Sequence, residues 1–93
     1  MFVKLLTVDL FIPGCSSLKE KRFVVSSLKA RLRGRFNVSV AEVDHQDKWQ
    51  LATLAVSFVG TDHGTLDAAC AKVRNFIEGD HRVQISDAVE EYR

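Results

Sequence analysis

Phe36-Asn37-Val38-Ser39-Val40-Ala41-Glu42-Val43, the polar turn His45-Gln46-Asp47-Lys48, and Trp49-Gln50-Leu51-Ala52-Thr53-Leu54-Ala55-Val56-Ser57-Phe58-Val59 form the stretch that decides the fold. The first segment is rich in β-branched residues, and Leu54, Val56 and Phe58 alternate in the last. Two such runs around a short polar turn read as a β-hairpin. The apolar parity of the first run changes between Val40 and Val43, which marks a bulge or a sheet edge.

Each side of this hairpin repeats one arrangement. Upstream, Leu6, Val8, Leu10 and Ile12 alternate with Thr7, Asp9 and Phe11, a strand with one apolar face. Pro13-Gly14 ends it. Ser17 with Glu20 three residues later is a capping-box pattern, so a helix starts near Leu18. Leu18, Val24, Val25, Leu28 and Leu32 share one face of it, and Gly34 offers a stop. Downstream, Gly60 to Thr65 is a loop with cap candidates Thr61, Asp62 and Thr65. Leu66, Ala69, Cys70, Val73, Phe76 and Ile77 then follow helical spacing to Gly79. Val83, Ile85 and Val89 make a fourth strand, followed by a charged tail from Glu90. The order βαββαβ predicts an α+β, ferredoxin-like sandwich: an antiparallel four-stranded sheet with two helices on one face. The name describes topology only, since the four-cysteine pattern of an iron–sulfur ferredoxin is absent.

The 93 residues suit a single domain, 1–93, with a modest core. With 46% apolar residues and one proline, the chain has the composition of a folded protein. No run approaches the ~20 apolar residues of a membrane span, and Met1 to Ile12 lacks a signal-peptide pattern. The expected location is cytoplasmic. Cys15 and Cys70 give neither a disulfide framework nor metal spacing, so no metal or cofactor is expected.

The charge is unevenly placed. Ser17 to Arg35 holds seven of the thirteen basic residues, Lys19, Lys21, Arg22, Lys29, Arg31, Arg33 and Arg35, with Glu20 as its only acid, although the whole chain carries +1. Such asymmetry points to a polyanionic or acidic partner. Lys19, Arg22, Lys29 and Arg33 fall within roughly 80° on a helical wheel, with Ser26 among them. Phosphate contacts from such a stripe need no base readout and weaken with salt; the plain alternative is a solvated helix face. Lys21 lies in the apolar arc, where it either snorkels, the favoured reading, or meets a partner or a bound anion at the helix N-terminus.

Ile12-Pro13-Gly14, Ser17-Leu18-Lys19-Glu20-Lys21-Arg22 and the run Phe36 to Asp47 resemble the YlxP-like family of bacterial proteins of unknown function, across essentially the whole chain. The resemblance implies a ferredoxin-like fold. Members of that family are often encoded beside translation-initiation and ribosome-maturation factors, which implies an RNA- or ribosome-linked role, and the family supplies no catalytic residues to transfer. Phe23 stands after Arg22 where relatives are expected to carry another basic residue.

Other candidates are weaker. The turn Asp44, His45, Gln46 and Asp47, with Trp49 beside it, has carboxylates and an imidazole for a metal or acid–base role, but Asp in turns more often serves local hydrogen bonding. Cys15 precedes a helix, where thiols can be reactive; Cys70 reads as core, and His63 and His81 as surface loop residues. On the sheet face away from the helices, Val3, Leu5, Thr7, Asp9 and Phe11 should lie beside Leu51, Thr53, Ala55 and Ser57. With Phe11 as its single aromatic, that face does not suit base stacking, yet it suits a second copy or a protein partner. The expected function is a non-catalytic RNA- or ribosome-associated module, with Lys19, Lys21, Arg22, Lys29, Arg31, Arg33 and Arg35 as its nucleic-acid contacts. A homodimeric protein-interaction module is the alternative, and an enzyme at the Asp44-His45-Asp47 turn ranks last.

Overall fold

A computed structural model describes residues Met1–Arg93. Six elements follow one another: β1 (Phe2–Phe11), α1 (Leu18–Arg35), β2 (Ser39–Asp44), β3 (Leu51–Gly60), α2 (His63–Glu78) and β4 (Gln84–Tyr92). The strands form one sheet in the order β2-β3-β1-β4, with every neighbouring pair antiparallel. This is the expected ferredoxin-like α+β arrangement. No helix is long and apolar enough to cross a membrane.

Local chemistry sets the turns. Cys15 N–H donates to the Ile12 carbonyl, closing a turn with Pro13 at its second position. Gly14 at the third has φ 76°, the left-handed conformation that a type II turn requires and glycine adopts without strain. Ser17 caps α1, its hydroxyl accepting from Glu20 N–H at 3.1 Å, and the Glu20 carboxylate reaches back to Ser16 N–H at 2.9 Å. The helix passes through Gly34, contrary to expectation. It ends one residue later, where extended Phe36 donates to the Leu32 carbonyl. Asp62 caps α2 by accepting from Thr65 N–H at 2.8 Å, which holds its carboxyl below the usual range. Gly60 packs so closely on α2 that a Cβ there would lie 3.0 Å from Leu66 Cδ2.

The core lies between the inner sheet face and the helices. Leu6, Val8 and Leu10 of β1 pair across to Val56, Leu54 and Ala52 of β3. All are buried against Val25, Leu28 and Leu32 of α1 and Leu66, Cys70, Val73 and Ile77 of α2. Removing one such leucine side chain costs about 2–5 kcal/mol. β2 carries a register shift between Glu42 and Asp44 and is also an edge strand, so the parity change at Val43 reflects both anticipated features. The charged end behaves differently from expectation: β4 continues through Tyr92 because β1 reaches back far enough to pair Lys4 with Tyr92 and Leu6 with Glu90.

Candidate functional site

Eight of the thirteen basic side chains have no acidic partner, and six of these eight lie on α1: Lys19, Arg22, Lys29, Arg31, Arg33 and Arg35. The other two are Lys48 and Lys72. Glu20 cannot neutralise the helix because its carboxylate is turned back to the Ser16 amide and hydroxyl.

The six cations divide between two flanks. Lys19, Arg22, Lys29 and Arg33 form one stripe along the helix, whose Arg33 end reaches β2 and whose Lys19 end borders the Pro13-Gly14 turn. Arg33 also donates to the Val40 carbonyl at 2.7 Å, which covers an outward polar group of the edge strand. Arg31 and Arg35 are on the opposite flank, where the Arg35 guanidinium lies 5.3 Å from the Phe76 ring centroid. The stripe from Lys19 to Arg33 extends roughly 21 Å at 1.5 Å rise per residue. Lys19, Arg22 and Arg33 are exposed and Lys29 is half-buried on this helix.

Lys21 does not belong to that surface. It is 1% exposed, so it does not snorkel; its Nζ lies 2.8 Å from Glu42 Oε2 and donates to the His45 carbonyl. Burial and these partners remove it from the phosphate-contact set proposed from the sequence. The contact with Glu42 is ionic rather than directional, for Oε2 has no donor in good hydrogen-bond geometry. Glu42 shares the inner face of β2 with Val40, and that placement brings the two charges together.

The β2–β3 turn is organised around the same latch. His45 has φ 62°, Asp44 Oδ1 accepts its N–H at 2.8 Å, and its carbonyl accepts from Lys48 N–H. Gln46 reaches the Glu42 carbonyl at 3.5 Å, and Trp49 stands half in solvent at 53% exposure. Asp44, His45 and Asp47 thus surround a turn in which Asp44 and His45 serve backbone geometry. No group of three or more His, Cys, Asp or Glu side chains is placed to hold a metal. Cys15 is buried, with its thiol directed at the Ser17 carbonyl. Cys70 is core, as read from its spacing, and burial pushes its thiol up to about 11.

A second charged cluster has no counterpart in the sequence reading. Lys4 shares the inner face of β1 with Leu6 and is buried, its Nζ 2.6 Å from Asp67 Oδ1 and 2.9 Å from Glu90 Oε1. Burial alone would lower its pKa, but hydrogen bonds to Asp67 and Glu90 outweigh that and hold it above the usual lysine range. Arg74 joins Glu90 at 2.6 Å, and Tyr92 hydroxyl donates to Asp67 Oδ1 and lies 3.1 Å from the His63 carbonyl. His63 is the first residue of α2 rather than a loop residue, and its ring packs against Phe2 and Tyr92. The available signal was parity: Lys4 falls in phase with Leu6, Val8 and Leu10. The saturated pairing of this cluster reads as a clasp tying α2 to β1 and β4.

The open sheet face matches its predicted composition, with Leu5 opposite Ser57, Thr7 opposite Ala55 and Phe11 opposite Leu51. Val59 and Val89 are exposed there. Asp9 sits directly opposite Asp87, and Thr53 hydroxyl donates to Asp9 at 2.7 Å. Like charges so placed repel, and they make this face acidic in its middle row.

Comparison with known proteins agrees with the resemblance seen in the sequence. Residues 3–89 match the model of the family described as "Protein of unknown function (DUF503)". The chain is 31% identical over 70 residues to the "Uncharacterized protein YlxP" of Bacillus subtilis (strain 168), an alignment covering 75% of this chain and 76% of that protein. The chain belongs to this YlxP-like DUF503 family.

Proposed function

We propose that this member of the family is a non-catalytic cytoplasmic binding module whose partner is RNA, free or in the ribosome, gripped through its phosphates by α1. One observation carries this: six of the eight cations without an acidic partner project from a single helix. Elsewhere the fold pairs its buried lysines closely, so the unpaired set is not a general excess of base. The stripe Lys19, Arg22, Lys29 and Arg33 is the primary contact line, with Arg31 and Arg35 extending it around the helix end. Contacts of this type supply affinity and orientation without reading sequence. The resemblance noted from the sequence points to the same partner class.

The test is co-sedimentation with purified ribosomal particles and with free ribosomal RNA across a salt series, using wild type and Arg22→Glu/Lys29→Glu. Binding that fades with salt and is lost in the variant supports the assignment. Binding that survives charge reversal removes α1 from it.

A second reading rests on the exposed Val59 and Val89 of the open face, which suit a second copy or a protein partner. It ranks lower because a dimer there would desolvate the Asp9–Asp87 row. Leu5→Glu should leave the oligomeric state unchanged in analytical ultracentrifugation under the RNA reading, and turn a dimer into a folded monomer under the dimer reading.

A further inference from the structure

We propose that Phe23 is a stacking platform for an unpaired base, making single-stranded polynucleotide the substrate class of the basic helix. The inference rests on the proposed RNA reading and goes beyond it, because phosphate contacts alone do not distinguish single strands from duplex.

Phe23 projects from the outer side of α1 with 72% of its surface exposed. Isolated exposed apolar residues are common and mean little. This one has two companions. A hollow of about 460 Å³ opens beside it, bounded by Ile12, Pro13, Cys15 and Val24 and walled by Arg82; Glu20 also lines it, with its carboxylate engaged by the Ser16 amide and hydroxyl. Lys19, one helical turn before Phe23, lines the same hollow, and Arg22 adjoins it in the chain. Residues four apart on a helix share a face, so a base lying on the Phe23 ring would leave its phosphate within reach of Lys19. Neither Lys19 nor Arg22 has an acidic partner to release first.

The wall of the hollow is prearranged. Arg82 donates to both carboxylate oxygens of Asp80, at 3.0 and 2.7 Å, and to Ser27 hydroxyl at 3.3 Å. Its charge is balanced by Asp80, whose carboxyl it holds below the usual range. What Arg82 presents is therefore a fixed planar group, suited to the edge or face of a base, while Lys19 and Arg22 hold the charge for phosphate. The open sheet has no comparable platform: Phe11 is half-buried at the end of β1. Aromatic faces accept any base, which suits contact with single strands without sequence preference. A duplex keeps its bases stacked on one another and can engage only the cations.

Fluorescence anisotropy with a labelled twelve-nucleotide oligoadenylate and an RNA duplex of equal length tests this, with polyphosphate and polyglutamate as unlabelled competitors. Phe23→Ala should weaken single-strand binding about tenfold and leave duplex binding unchanged, while Phe23→Tyr restores it. The exposed site predicts no loss of fold, checked by circular dichroism. Unchanged single-strand affinity in Phe23→Ala, with binding abolished in Arg22→Glu/Lys29→Glu, overturns the stacking platform and leaves the basic-helix reading standing. Absence of salt-dependent binding to either RNA by wild type overturns both. Polyglutamate that displaces the single strand as well as polyphosphate does also overturns the proposal, in favour of an acidic protein partner.

Discussion

Replacing Glu42 with alanine should destabilise this domain strongly, because it strips a buried lysine of its carboxylate. Lys21 is 1% exposed and the Glu42 side chain 16%, with Nζ and Oε2 2.8 Å apart. At an effective dielectric near 20 the gross attraction over this distance is about 6 kcal/mol, most of it offset by the desolvation of both groups. The net value of the pair is therefore small, whereas the cost of breaking it is large. Glu42→Ala leaves a buried ammonium with the His45 carbonyl as its remaining partner. Loss of one partner from such a pair costs about 3–5 kcal/mol, and the retained carbonyl places this case near 3 kcal/mol. A chain of this length has roughly 5–14 kcal/mol in total, so the variant should stay folded at 25 °C with a Tm lower by about 12–24 °C. Urea unfolding followed by circular dichroism is the assay, with an unchanged slope showing that the transition remains two-state. Lys21→Met/Glu42→Leu should recover to within about 1 kcal/mol of wild type, because both desolvation costs disappear together. A Glu42→Ala variant within 1 kcal/mol of wild type, or a double variant no more stable than the single, would refute the buried latch.

The Lys4 clasp makes stability fall at both ends of the pH scale. Glu90 and Asp67 are held below the ordinary range by hydrogen bonds from Lys4, so their contribution is full above ~4 and is lost as pH falls through their folded values. Lys4 is held high by the same partners, so its contribution is full below ~10.4 and is lost as pH rises through its folded value. Urea midpoints measured across pH should show both declines, and Lys4→Met should flatten the alkaline one; an alkaline limb identical in the variant would contradict the assignment. Cys70, fully buried with its thiol pushed up to about 11, should resist alkylation by iodoacetamide at pH 8 until the protein unfolds, which peptide mass mapping reads directly. Leu28→Ala, at a site with no exposure between helix and sheet, should cost about 2–5 kcal/mol in the same urea assay.

The topology was legible because its signals are local. Alternation in β1 and β3, the Ser17–Glu20 cap, the Asp62 cap and the Pro13-Gly14 turn each act within a few residues, and together they allow one connection of the elements. The charged contacts were not legible for the opposite reason. Lys4 meets Asp67 across 63 positions and Lys21 meets Glu42 across 21, so the placement of each depends on the finished sheet. A hydrophobic-periodicity argument treats such lysines as surface residues, which is why Lys21 read as snorkelling and Lys4 went unnoticed. Glu90 and Glu91 read as a tail for a related reason: their strand exists because Leu6, Leu5 and Lys4 of β1 pair with Glu90, Glu91 and Tyr92. Gly34 offered a local stop, but α1 continued to the point where Phe36 could turn inward against Phe76. Of the candidate site, the clustering of charge on α1 and its main stripe were visible in composition and helical spacing, whereas the neighbours of Arg33 and Arg35 and the loss of Lys21 required the packed structure.

The most direct test of the central claim is the salt dependence of RNA affinity. Four phosphate contacts along Lys19, Arg22, Lys29 and Arg33 predict a slope of log K against log salt of about −2.8 on a single strand, halved to about −1.4 when Arg22 and Lys29 become glutamine. Affinity that is flat with salt, or a slope unchanged in that variant, would contradict the assignment of α1 as the RNA-binding surface.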